Sequence, residues 1–201
     1  VTDGGFLPVD NSSRNDNTFS KEAVMDMKNG FNMQVWSIDE NYIPVLGMEL
    51  KQGRNFSREF QSDSMALLIN ETTAQMLGYA DPIGKKIYKS TSNIESELLA
   101  FTIIGVVKNF HFESLKQQIG PLCMRLDRAD YTIAMKVDAA RIPTMVKEVE
   151  KKFDAQAAGF PFQYSFLDAS FNQMYKAEEK AGKLAFSFAV LAILIACLGL
   201  F

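Results

Sequence analysis

Residues 131–168 read YTIAMKVDAARIPTMVKEVEKKFDAQAAGFPFQYSFLD. Tyr131, Ile133, Met135 and Val137 alternate and so share one face of a strand. Ile142, Met145, Val146, Val149 and Phe153 then recur at helical spacing, with Pro143 near the helix start, where its fixed φ is suited. Phe162, Tyr164 and Phe166 share one face of a second strand. Strand, helix and strand in this order predict a βαβ unit, or a split one with another strand inserted. The chain is therefore expected to be α+β (mixed α/β).

Going toward the C-terminus, Asp168 can cap a helix. From 169 to 201 there is no proline, and Gly182 is the one glycine before the apolar run. The pattern predicts one continuous helix about 50 Å long at 1.5 Å rise per residue. Its first part, 169–183, carries Lys176, Glu178, Glu179, Lys180 and Lys183 and reads as a stem. Its last part, 184–201, is LAFSFAVLAILIACLGLF, without a charge. That run spans roughly 27 Å, slightly less than a bilayer core of about 30 Å. A buried core helix would not be apolar all round over this length. A removable lipid-anchor signal would want a small-residue cleavage site and a flexible spacer, and here a helix precedes the run. The expected reading is a truncated transmembrane helix carrying a water-soluble domain. Val1 is not an initiator methionine, no signal peptide is evident, and both ends read as cut from a longer protein.

Toward the N-terminus, residues 1–30 are polar, with 11–17 an exposed loop. Phe31–Ile38 alternates as a strand, Asp39 is placed to cap a short helix ended by Gly47, and 51–56 reads as a turn. Met65–Ile69 reads as a buried strand feeding a helix with Asn70 as cap and Gly78 as stop. Asp81–Gly84 suits a type I turn. Lys85–Lys89 reads as a strand, 90–97 as a hairpin loop, and Leu98–Phe110 as a long strand in which Gly105 marks a bulge.

Composition narrows the chemistry. The chain is 47% hydrophobic and 22% charged, with a net charge of −3, so it has no basic stripe for nucleic acid. Cys123 and Cys197 lie in different environments and form no disulfide framework. His111 is the one histidine, and no nucleophile spacing points at it, so a structural or surface role is expected. Asp127, Asp130 and Asp138 lack calcium-loop spacing, and zinc would want more His and Cys ligands. No phosphate loop is present. Gly53-Arg54 could contact an anion, although a turn glycine beside a surface arginine explains it as well. The expectation is no catalytic, cofactor-binding or metal-binding residues and no enzyme activity.

The combination GRNF at 53–56, INETTA at 69–74, DPIGK at 81–85, IGVVKNFH at 104–111, and FLD at 166–168 leading into YKAEEK at 175–180 and IACLGLF resembles one family. It is similar to the MacB-like periplasmic core domain of FtsX-type ABC-transporter permeases, from about Phe31 onward. The closing segment is most similar to the second half of Bacteroidetes-type permeases. The resemblance implies an extracytoplasmic domain over 1–168 in two subdomains. One is βαβ and porter-like, from 1–38 plus 122–168; the other is an inserted mixed α/β unit over 39–121. It also implies placement at a bacterial inner membrane, on the periplasmic side, with a separate ATP-binding subunit and a dimer of permease halves. Possible partners are a periplasmic adaptor, a cargo or a cell-wall enzyme. The implied role is to couple cytoplasmic ATP hydrolysis to extracytoplasmic movement. Two other readings stay open: a sensor ectodomain with a small-molecule pocket, and a membrane-anchored hydrolase using His111.

Overall fold

Alternation along Ala66–Asn70 organises the molecule, because every residue of that strand is buried and it must therefore pack on both faces. The computed structural model describes residues 1–8, 15–24, 29–90, 98–112, 117–128, 132–157 and 159–199. The strands are β1 Thr2–Gly4, β2 Asp16–Ser20, β3 Gly30–Ile38, β4 Leu50–Gly53, β5 Ala66–Asn70, β6 Lys86–Ser90, β7 Leu98–Val107, β8 Leu122–Leu126 and β9 Thr132–Ala134. The helices are α1 Tyr42–Val45, α2 Glu71–Leu77, α3 Ile142–Gln156 and α4 Leu167–Gly199.

Six strands close into a ring in the order β2-β6-β7-β5-β8-β3, and β3 pairs back to β2. The pairs β5–β7 and β3–β8 are parallel; the other ring pairs are antiparallel. β4 extends the edge of β7 beyond β6, β1 joins the end of β3, and β9 joins β1. Strands from 39–121 thus share one hydrogen-bonded sheet with strands from the flanking segments.

Alternation gives the ring two cores. Phe19, Met33, Val35, Leu67, Ile69, Ile87, Phe101, Ile103 and Cys123 point inside, at least one from each ring strand. Trp36, Ile38, Ala66, Leu68, Leu122 and Met124 point outward and are covered by Tyr42 and Ile43 of α1 and by Phe56 and Phe112. The expected bulge is present: Leu67 pairs with Ile103 but Leu68 pairs with Gly105. The extra residue reverses the parity of β7, so Val106 faces inside after Phe101 and Ile103.

Several expectations change. The polar N-terminal stretch contributes β1 and β2, since a closing strand needs only one apolar residue, Phe19, on its inner face. Residues 50–53 form strand β4 before the turn. Asp39 is not the N-cap of α1; Asn41 holds that position, and the Asp39 carboxylate accepts from the Asn41 amide just before the helix as well as from Thr2 Oγ1 and the Asp3 amide. The turn after α2 lies one residue later than expected, with Lys85 N donating to Pro82 O and Gly84 at φ +77°. β8 carries no strong alternation signal, yet it is a central strand. β9 is only three residues long, so Met135 and Val137 lie beyond it, and Tyr131 and the 91–97 loop lie outside the described residues. Residues 161–166 are not a strand. Their rings contact one another along the chain instead. The strand reading of that segment rests on alternation, which a row of rings in mutual contact satisfies equally well.

Candidate functional site

Three places could carry function, and each follows from how its residues are held. The first is His111. Phe110 and Phe112 flank it, and both pack edge-on against Trp36, with ring centroids 5.8 and 5.4 Å away. Two neighbours anchored in the core force the residue between them outward, and His111 is exposed. Among the described residues, no Ser, Cys or Asp is hydrogen-bonded to it.

The second is Arg54. Gly53 adopts φ +74°, and a Cβ there would sit 2.1 Å from Ile104 O, so only glycine fits. The turn delivers Arg54 Nη1 and Nη2 to the two carboxylate oxygens of Asp63, each at 2.7 Å. Asp63 is fully buried and also accepts from the Ser57 amide at 3.0 Å, while the guanidinium lies 4.4 Å over the Phe60 ring. The Arg54 hydrogen bonds hold the Asp63 carboxyl below its usual range. Both nitrogens of the fork are committed, so Arg54 clasps a loop and is not a free anion contact.

The third is the joint between α3 and α4. α3 shows its expected apolar spacing, but none of its residues is fully buried. Phe153 on α3 contacts Phe162 at 5.6 Å, Phe162 stacks with Tyr164 at 5.8 Å, and Tyr164 meets Phe166 edge-on at 5.7 Å. Phe166 O then accepts from Ser170 N at 3.1 Å in the first turn of α4. α4 continues without a break for 33 residues. Its Gly182–Gly199 window is long and apolar enough to cross a membrane, and none of that window is buried against the rest of the molecule.

The motif residues meet in space. Asn70 Oδ1 accepts from Thr73 N at 2.9 Å and from Leu122 N at 3.2 Å, while Asn70 Nδ2 donates to Gly120 O at 2.8 Å. Thr73 Oγ1 accepts from Leu122 N at 2.9 Å. Asn109 Oδ1 accepts from Thr72 N at 3.2 Å, and Glu71 accepts from Asn109 N at 2.9 Å. INETTA and VVKNF therefore lock α2, β8 and the end of β7 together. These residues hold the frame and present no reacting group.

A family model for the MacB-like periplasmic core domain matches residues 7–160. The chain belongs to that family. It is the extracytoplasmic domain of a MacB/FtsX-like ABC-transporter permease. Two solved structures are similar to the MacB-like domain. One is the periplasmic region of MacB from Actinobacillus actinomycetemcomitans, 15% identical with a TM-score of 0.47, covering 77% of this chain and 65% of that one. The other is the extracellular domain of the noncanonic ABC-type transporter YknZ from Gram-positive bacteria, 16% identical with a TM-score of 0.48, covering 71% and 72%. The MacB-like domain thus spans about two thirds of the first of these. No curated protein matches the chain.

Among the described residues of the MacB-like domain, no group of three or more His, Cys, Asp or Glu is placed to hold a metal ion. Both cysteines are free, Cys123 buried and Cys197 exposed. Asp63 was not legible as the partner of Arg54, because a lone aspartate in a polar loop has no periodic signal.

Proposed function

We propose that this domain is a non-catalytic transmission element, coupling ATP hydrolysis on the cytoplasmic side to conformational change outside the membrane. The observation that supports it is α4: one unbroken helix joins the aromatic row at Phe166 to an apolar window ending at Gly199. A helix is stiff along its axis, so a displacement of the membrane end is delivered to Phe166, and from there through Tyr164 and Phe162 to Phe153 on α3. In this reading the domain sits at a bacterial inner membrane, on the periplasmic side. It works with an ATP-binding subunit, in a dimer of permease halves. Its outer partner is a cargo, an adaptor or a cell-wall enzyme, and its output is efflux, lipoprotein release or enzyme activation. The division into 1–38 plus 122–168 and 39–121 belongs to the same proposal.

The test is a Gly/Ser insertion near Ala177 in the full permease. ATP hydrolysis should persist while the transport or release output is lost. An insertion variant with full output would refute transmission through this helix.

A further inference from the structure

The ring of six strands has two ends, and one of them presents cations. Inside-facing residues on β6 share the parity of Ile87, and those on β8 share that of Cys123. Lys89 and Arg125 have the same parity and are therefore directed inward. Lys89 pairs with Leu99 near the start of β7, and Arg125 pairs with Leu67 near the start of β5. β5 and β7 run parallel, so both cations are at the same end of the ring.

Arg125 is matched by Asp127, to which its Nη2 donates. Lys89 is not matched: it is half-buried, and no described carboxylate forms an ion pair with it. Burial and the positive charge of Arg125 both pull the Lys89 ammonium below its ordinary pKa. Deeper in the ring, burial pushes the Cys123 thiol up to about 12, against the opposing pull of Lys89 and Arg125. The thiol therefore stays neutral and offers the cations no counter-charge. Among the described residues, Asp127 cancels one of the two cations, leaving a single positive charge in excess. A half-buried ammonium with no described counter-ion is costly, and a bound anion offsets that cost.

We propose that this end of the ring binds a carboxylate, with Lys89 as the primary contact and Arg125 as the second. One excess positive charge matches a monoanion, which favours a carboxylate over a phosphate dianion. The contact is independent of the transmission proposal, since it involves neither α3 nor α4.

The test uses the full chain in non-ionic detergent micelles, followed by thermal unfolding and calorimetric titration. Probes are sodium acetate and an end-blocked peptide with a single Glu, against sodium chloride and sodium phosphate at matched ionic strength. Saturable stabilisation by a carboxylate beyond that of chloride is expected. A response to the peptide but not to acetate identifies a partner segment as the source; an equal response identifies a free carboxylate. Lys89→Gln should raise Tm without ligand and weaken carboxylate binding by about ten-fold or more, the worth of a charge-assisted hydrogen bond. Lys89→Arg should keep the response, and Asp127→Asn should strengthen it by removing the competing anion. The proposal is overturned if Lys89→Gln binds like wild type, if chloride or phosphate matches the carboxylates, or if neither carboxylate binds.

Discussion

The Asn70 side chain makes four hydrogen bonds at one end of the ring, to Thr73, Leu122 and Gly120. Its side chain caps α2 through Thr73 N and also satisfies Leu122 N and Gly120 O, joining segments about fifty positions apart in the chain. Asn70→Ala removes the cap and leaves the Leu122 amide with one partner fewer. It should cost about 2–3 kcal/mol, at the upper end for a cap, because the groups are buried. Urea unfolding would measure it. Asp63 gives a pH signature. Its folded pKa lies below the ordinary 3.8, mainly through Arg54, so its contribution is present above that value and is lost as pH falls through the folded pKa. Asp63→Asn should therefore be less stable than wild type at pH 7, and the gap should close as the pH is taken down toward 2. A constant gap across that range would mean that the carboxylate charge is not what stabilises the clasp.

At the scale of elements, the β7 bulge decides which side chains fill the ring. Gly105 is there because a Cβ would lie 2.6 Å from Arg54 O and 2.7 Å from Leu68 Cδ2. Gly105→Ala should push β4 from β7 and cost roughly 1–3 kcal/mol, as overpacking does. Amide exchange should show the opening confined first to residues 50–54 and 104–107. The strand, helix and cap of 66–78 were legible because apolar run, Asn cap and Gly stop are local signals. Gly78 ends α2 at φ +68° as the pattern demands. β1, β2 and β4 were not legible, because their places are fixed by partners distant in sequence and only a few of their residues face a core; β8 was not, because its buried run, Leu122 to Met124, is too short to show a period. The 161–166 segment failed the opposite way: its alternation was real, but the ladder partners that make a strand are not supplied within this sheet.

For the whole molecule, the ring and the long helix are physically different kinds of object. The ring is closed by paired strands around a buried core, and α4 exposes its apolar window completely. Removing residues 184–201 should abolish binding to detergent micelles while leaving the thermal transition of the ring in place, as size-exclusion chromatography with light scattering and circular dichroism would report. The sequence by itself determined the α+β class, the continuous helix with its apolar end, the capped β5–α2 unit and the family, because each rests on local periodicity or on short motifs. The placement of Arg54 on Asp63, the outward turn of His111 and the presence of Lys89 and Arg125 at one end of a ring were decided only by tertiary structure. Closing a ring brings together residues whose separation in the chain carries no periodic signal, and their electrostatic and steric relations exist only once β2 meets β3 and β6.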